Sequence, residues 1–150
     1  MATTATTRNR VPRHTASDVN RRIQQDIEQS IRYYQGHKKQ IPQRLQELEE
    51  EWDIERAIQA NAAAVSLAGM MFGLLGRSRW LLVPIGVGGF LLQHAVQGWC
   101  PPVPILRRLG FRTSFEIEQE RQALKLIRGD YKSAAAGDAD AEDLLEAVRA

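Results

Sequence analysis

The sequence predicts an all-α protein: a transmembrane helical hairpin with cytoplasmic amphipathic helices on both sides. Charged residues make up 25% of the 150 residues, yet they are absent between Arg56 and Arg77 and between Arg79 and Arg107. Outside these two windows, apolar residues recur every three or four positions, which is the spacing of an amphipathic helix. A short polar turn at residues 76–79 separates the windows. Two helices joined by such a turn must run antiparallel.

Composition and charge exclude several classes of protein. A formal net charge of +2 is too small to indicate nucleic-acid binding. The composition is not that of a collagen-like, disulfide-rich or wholly disordered chain. A single cysteine, Cys100, excludes an intrachain disulfide and a multi-cysteine metal site. The sequence has no phosphate-binding loop, dinucleotide fingerprint, catalytic triad or paired catalytic carboxylates, so we expect no enzyme, cofactor or metal.

The chain before the first window predicts a disordered tail over residues 1–16 and a cytoplasmic helical pair over residues 17–56. Ser17 is a good N-cap for the first helix, and Gly36 ends it. Pro42 suits the first turn of the second helix. The apolar stripes of the pair either pack on each other or offer a surface to a partner. Their main members are Ile23, Ile27 and Ile31 in the first helix and Leu45, Leu48 and Trp52 in the second.

Residues 57–99 are predicted to form a two-span membrane hairpin. The first window holds about 20 residues, which cover roughly 30 Å as a helix and so match the hydrocarbon core of a bilayer. The second window ends near Gly98 or Trp99, because Pro101 and Pro102 must break the helix. Its side chains contribute about −3 to −5 kcal/mol to insertion, against about −2 to −3 kcal/mol for the first. The competing interpretation, a pair of core helices in a soluble protein, requires more covering helix than the short charged helices provide.

Lysine and arginine residues near the spans predict the orientation of the hairpin. Two of them, Arg77 and Arg79, lie in the turn. The two flanks hold Lys38, Lys39, Arg44, Arg56, Arg107, Arg108 and Arg112. The positive-inside rule then places both termini in the cytoplasm and the turn outside.

The remainder of the chain is predicted to be a Pro-rich turn with a cytoplasmic helix, residues 100–131, and a flexible tail, residues 132–150. The helix begins at a capping box, Thr113 to Glu116, and stops at Gly129. The acidic run of residues 47–55 is either a solvated face or a set of partners for basic residues that come later. The later residues that we expect to be such partners are Arg107, Arg108 and Arg112.

Small residues predict a close contact between the two spans. Lipid offers no hydrophobic drive for helix association, so backbones must approach closely. Folding the hairpin about its turn places Gly69 opposite Gly86 and Ser66 opposite Gly89. The alternative is that this face joins two copies of the chain. The predicted packing residues are Ala62, Ser66, Gly69, Gly73, Gly86 and Gly89.

Three polar residues near the cytoplasmic end of the predicted hairpin are candidates for function. The hairpin register puts Asn61 level with His94, so a neutral His94 bonds Asn61 or another neighbour, or else relays protons or binds a ligand. One imidazole and one thiol make only half a metal site. Cys100 is either a small packed residue or lipid-attachment site, or a reactive thiol whose thiolate is favoured by Arg107 and Arg108.

Gln97-Gly98-Trp99-Cys100-Pro101-Pro102, followed by Leu109-Gly110-Phe111-Arg112-Thr113, resembles the YgaP-like transmembrane domain family. The resemblance covers about residues 54–113. It implies a two-helix hairpin in a bacterial inner (plasma) membrane. The residues that match the family motif are Gly98, Trp99, Cys100, Pro101, Leu109, Gly110 and Thr113.

Family members occur alone or fused to rhodanese, a sulfurtransferase domain, so the resemblance implies a rhodanese-type or other cytoplasmic protein partner. We therefore expect a structural or accessory protein in the lipid bilayer that anchors or assembles a partner or a homo-oligomer. The alternative is a sulfur-relay or small-solute accessory subunit that uses Cys100.

Overall fold

The computed structural model describes residues 10–76 and 78–131, and every regular element in these ranges is helical. The predicted all-α fold is confirmed. Short 3₁₀ turns precede α1, α2 and α4. The helices are α1 (Ser17–Gly36), α2 (Ile41–Glu50), α3 (Ile54–Leu74), α4 (Leu82–Gln97), α5 (Val103–Arg108) and α6 (Ser114–Arg128). Of the two predicted tails, residues 1–9 and 132–150 lie outside the described residues.

The second helix ends earlier than the sequence predicts, before a short link to α3. That helix ends at Glu50, and Trp52 lies in the link, where the guanidinium of Arg56 stacks 4.5 Å from its ring centroid. A new helix starts at Ile54 because Oδ1 of Asp53 accepts a hydrogen bond from the Arg56 backbone N–H at 2.6 Å. This side-chain cap satisfies one of the free donors of the first turn. The predicted boundary between the helical pair and the hairpin therefore falls inside α3.

The chain divides into two compact units. The first unit comprises the described residues up to Gln24 together with Trp52–Phe115, and the second comprises Gln25–Glu51 together with the described residues from Glu116 onward. The first core consists of Val11, Ile54, Ile58, Cys100 and Val103. The second core consists of Ile41, Leu45, Leu48, Ile117 and Leu124. Each unit therefore has an apolar core of its own.

A buried ionic cluster accompanies the core of the second unit. The carboxylate of Glu120 is fully buried and accepts hydrogen bonds from Nε of Arg44 at 3.0 Å and from Oγ of Ser30 at 2.5 Å. A buried charge is tolerated only when it is paired and hydrogen-bonded, and these contacts provide that pairing. Arg121 forms an ion pair with Glu49 at 2.7 Å. The acidic run therefore meets a basic residue that comes later in the chain, but one that the sequence analysis did not name.

Two glycines of α3 allow α3 and α4 to pack closely as an antiparallel hairpin. A Cβ added at Gly69 would lie 2.8 Å from Cβ of Val83, and one added at Gly73 would collide with the side chain of Leu81. The chain turns at Gly76, whose φ of 95° is left-handed, and continues through a 3₁₀ turn at Ser78–Leu81. Arg77, part of the predicted turn, lies outside the described residues.

The predicted partners of these glycines are wrong. Among the described residues, nothing lies within 4 Å of a Cβ added at Gly86 or Gly89. Gly69 faces Val83 instead of Gly86, a shift of about one helical turn. The shift arises because the 3₁₀ turn takes up the residues as far as Leu81, so that α4 begins only at Leu82. Ala62 and Ser66, which are also predicted packing residues, are half-buried.

Candidate functional site at the proline end of the hairpin

The surface of the hairpin is apolar and largely uncovered by the described part of the chain. Leu67, Leu74 and Ile85 are 68%, 79% and 70% exposed. Two helical stretches are long and apolar enough to cross a membrane, and only 22% and 6% of their most apolar windows are buried. Core helices of a soluble protein would be mostly buried, so this exposure favours lipid as the surroundings.

Gly98 ends α4 and allows the N-terminal segment to approach the backbone closely. Its φ is 74°, a left-handed conformation that L side chains rarely adopt, and its N–H donates to the carbonyl of His94 at 2.7 Å. A Cβ at this position would lie 2.5 Å from Cβ of Arg10. The first glycine of the family motif is therefore required both by the helix end and by this close approach.

The N-terminal segment is a component of the site that the sequence analysis missed. Residues 10–16 form a 3₁₀ turn at Pro12–His14, and Val11 is fully buried in the core with Cys100. Nη1 of Arg10 donates to the carbonyl of Ala95 at 3.4 Å. The prediction of a disordered tail is therefore wrong for these residues. One valine among polar residues has no periodicity, so the sequence carried little signal for this contact.

Cys100 is buried, with 4% of its surface exposed, among apolar side chains of the first unit. Burial raises the pKa of its thiol. Arg107, which was expected to favour the thiolate, is held elsewhere: its guanidinium donates to Oδ1 of Asn20 at 2.9 Å and to the carbonyl of Phe111 at 3.2 Å. Arg108 is exposed. The geometry therefore describes a packed thiol and not an activated nucleophile.

The remaining motif residues shape the turn after Cys100. The Cys100 carbonyl accepts the Val103 N–H at 3.0 Å as α5 begins, a helix that the sequence analysis did not predict. Gly110 has a left-handed φ of 93° after α5. The Ile54 N–H donates to the Arg112 carbonyl at 2.8 Å, which ties this turn to the start of α3. Among the other motif residues, Thr113 is buried, Trp99 is half-buried, and Pro101 and Leu109 are exposed.

His94 and Asn61 do not bond each other. Nδ2 of Asn61 donates to the carbonyl of Ala57 in its own helix, at 2.8 Å. His94 is 7% exposed, and both of its ring nitrogens are buried without a partner among the described residues. Of the expected alternatives for His94, the hydrogen bond to Asn61 is therefore wrong. In the described ranges, no three histidine, cysteine or acidic side chains lie together in a way that could hold a metal ion.

Glu55 is a second incompletely satisfied polar group at this end of the hairpin. Its Oε2 is buried without a partner among the described residues. Burial raises the pKa of this carboxyl, while backbone N–H groups and the charge of Arg10 partly offset that effect. Folding therefore favours the protonated carboxyl.

An apolar groove of about 440 Å³ lies between α3, α4 and the segment that leads from Cys100 into α5. Ile58, Ala62 and Val65 line it from α3, and Val87, Phe90 and Leu91 line it from α4. Cys100, Pro101 and Ile105 close its end. Two residues of the family motif, Cys100 and Pro101, are therefore part of its lining.

Residues 53–114 match the family model described as "Inner membrane protein YgaP-like, transmembrane domain". These residues are a YgaP-like transmembrane domain. The expected family is confirmed, and the YgaP-like segment contains α3, α4 and α5, including the groove. The matching family is an inner-membrane family, and the described part of this chain has two candidate spans. No curated protein and no solved structure matches the chain.

Proposed function

We propose that this chain is a non-catalytic anchor that holds its second unit at the cytoplasmic face of a bacterial inner membrane, where that unit assembles with a partner protein. The observation that carries the proposal is the contrast between the two units. The hairpin leaves many large apolar side chains exposed, whereas the second unit has a buried apolar core and pairs its buried Glu120. The exposed apolar surface of the hairpin therefore suits lipid, and the surface of the second unit suits water.

The proposed orientation has both termini in the cytoplasm. The flanks of the spans carry seven lysines and arginines in the sequence and the turn carries two, and this asymmetry favours a cytoplasmic position for the flanks. Trp80 follows the turn and Trp99 follows α4, so the two rings suit opposite interfaces of a bilayer.

Of the two alternatives for the apolar stripes, burial within the chain is the one that the structure favours. Ile23, Ile27, Leu45 and Leu48 are buried within the chain, so they are unavailable to a partner. In the second unit, Leu126 is an exposed large apolar side chain on α6. Leu126 is therefore the position on α6 at which we propose contact with a cytoplasmic protein, whether of rhodanese type or another kind.

The sulfur-relay alternative requires a reachable thiolate at Cys100. Burial of that thiol and the rise in its pKa both oppose such a role, which is why anchoring is the better supported function. Cys100→Ser should leave membrane retention and partner assembly unchanged. A sulfur relay, by contrast, would lose sulfur transfer to its partner in this variant.

Topology is tested in the Cys100→Ser background with a single new cysteine at Ser78, in the turn, or at Gln35, in α1. A membrane-impermeant maleimide should label Ser78→Cys in intact cells and Gln35→Cys only in inside-out vesicles. The protein should also resist extraction by alkaline carbonate. The reverse labelling, or release by carbonate, would overturn the proposal.

Partner assembly is tested by placing a photoreactive amino acid at Leu126 in the full-length protein, with the same substitution at exposed Glu28 of α1 as the matched control. We expect a discrete adduct with a second protein at Leu126 and none at Glu28. An adduct only with another copy of the chain would show that the second unit makes a homo-oligomer. No adduct at either position would contradict the assembly role.

A further inference from the structure

We infer that the groove between α3, α4 and α5 is a binding site for one acyl chain of an anionic phospholipid, with the lipid phosphate beside Arg108. This inference goes beyond anchoring, since an anchor requires only general contact with the bilayer. It assigns a particular lipid class to a particular site.

The chemistry of the groove matches a hydrocarbon chain. Its walls are apolar except for the amide of Asn61 and the thiol of Cys100, and the Asn61 amide already donates to Ala57. Val65, Phe90 and Ile105 are all exposed along the groove, so it opens to the surroundings of the hairpin. Where those surroundings are lipid tails, an apolar concavity is filled by a tail and not by water.

The dimensions favour a single chain over a helix. The α3 wall from Ile58 to Val65 runs for roughly two helical turns, or about 11 Å. The groove has a volume of about 440 Å³ over that length. A partner helix is about 10–12 Å across with its side chains, so it would need a wider groove. The groove therefore has a mean cross-section of about 40 Å², which holds a hydrocarbon chain but is about half that of a helix or less.

Charge complementarity selects an anionic headgroup. The sequence has no aspartate or glutamate between Glu55 and Glu116. Arg108 is exposed and lies three residues after Ile105 on α5, so the two side chains are neighbours on one face of that helix at the end of the groove that Ile105 closes. The other arginines near this end of the hairpin are engaged or buried: Arg56 stacks on Trp52, and Nη1 of Arg10 donates to the carbonyl of Ala95. Arg107 and Arg112 are buried. The exposed Arg108 is therefore the suitable contact for a phosphate.

The first test fills the groove in the full-length protein. The protein is placed in nanodiscs that contain equal amounts of phosphatidylglycerol and phosphatidylcholine with the same acyl chains. Native mass spectrometry then shows which lipid the released protein retains. We expect one retained phosphatidylglycerol per chain in the wild type and its loss in Ala62→Trp, which fills the groove. Ala63→Trp, at the next and exposed position outside the groove, is the matched control and should retain the lipid.

Val87→Trp, from the α4 wall, repeats the test in case Ala62→Trp fails to fold, and circular dichroism checks each variant. Equal retention by Ala62→Trp and Ala63→Trp, with Val87→Trp also unchanged, would overturn the site. A wild-type dimer that carries no lipid would overturn it too, because a second copy would then cover the groove.

The second test concerns the headgroup. Arg108→Gln should lower the preference for phosphatidylglycerol over phosphatidylcholine about fivefold. It should leave one lipid bound, because the acyl-chain contacts remain. Arg79→Gln, at the other end of the hairpin, is the control and should change nothing. An equal preference for the two lipids in the wild type, or no effect of Arg108→Gln, would refute the anionic assignment.

Discussion

Replacing Gly69 by alanine perturbs the contact between α3 and α4 at one defined point. The added Cβ would lie 2.8 Å from Cβ of Val83 and 3.2 Å from Cδ of Pro84. Carbon atoms of different residues pack at about 3.5–4.0 Å, so the helices must separate or Val83 must move. Gly86→Ala is the matched control, because nothing among the described residues lies within 4 Å of its added Cβ.

The expected magnitude follows from two opposing effects. Overpacking a tight contact costs about 1–3 kcal/mol. Alanine is better than glycine in a helix interior by about 0.8–1 kcal/mol, and this gain applies at both positions. Gly86→Ala should therefore raise the free energy of unfolding by up to about 1 kcal/mol, whereas Gly69→Ala should lower it by up to about 2 kcal/mol. The difference between the two variants, about 1–3 kcal/mol, measures the contact itself.

Reversible unfolding of the full-length protein in mixed micelles, with increasing dodecyl sulfate, measures this difference by circular dichroism. Trp80 gives a second signal by fluorescence, since its ring lies 5.4 Å from that of Phe72 within the hairpin. Equal stability of the two variants would refute the register described here. A larger loss in Gly86→Ala would instead support the register in which Gly69 faces Gly86.

Three further changes test other parts of the structure. The raised pKa of Glu55 in the folded protein means that the stability it contributes is complete at low pH and is lost as pH rises through that folded pKa. Glu55→Gln should therefore flatten the fall in stability above about pH 4.5, and an unchanged pH profile of the unfolding free energy would contradict this. Arg44→Met should lower the unfolding free energy by about 3 kcal/mol or more, because it removes a partner of buried Glu120. Chemical denaturation measures this loss, and a loss under about 1 kcal/mol would be inconsistent with the ion pair. Gly98→Ala should lower Tm, because φ is 74° and the new Cβ meets Arg10, so an unchanged Tm would argue against that contact.

The helices and the membrane hairpin were predictable because their signals are local. α1 begins at Ser17 and ends at Gly36, the two residues predicted to limit it. Ser17 is the first residue of the helix and not its N-cap, since the carbonyl of Ala16 accepts the Asn20 N–H. The two charge-free windows predict α3 and α4, since a helix exposed to lipid excludes charge along its whole length. Gly98 ends α4, as the prolines after it require.

The contact between the two spans was not predictable, because a glycine pattern fixes a face but not a register. The register depends on how many residues the turn takes up. That number is decided by the packing of Leu81 on Gly73 and by the 3₁₀ turn before α4, neither of which has a sequence period. An error of about one helical turn therefore moved the predicted partner of Gly69 from Val83 to Gly86.

The surroundings of Cys100 were not predictable, because they depend on contacts between distant parts of the chain. Val11 packs in the core with Cys100 although the two are far apart in sequence. Arg107 is close to Cys100 in sequence, but its guanidinium is held by Asn20 and Phe111. Closeness along the chain does not fix the direction of a long side chain, so the expected activation of the thiol did not follow.

Spin labels along α3 and α4 test most directly whether lipid surrounds the hairpin. In the Cys100→Ser background, single labels at Leu67, Ile85 and Leu92, all highly exposed in the structure, are measured by electron paramagnetic resonance in bilayers. We expect high collision rates with dissolved oxygen and low rates with a polar nickel chelate at all three positions, because oxygen partitions into the hydrocarbon and the chelate does not. High rates with the chelate, or low rates with both reagents, would show that water or protein covers these residues and would contradict the membrane assignment.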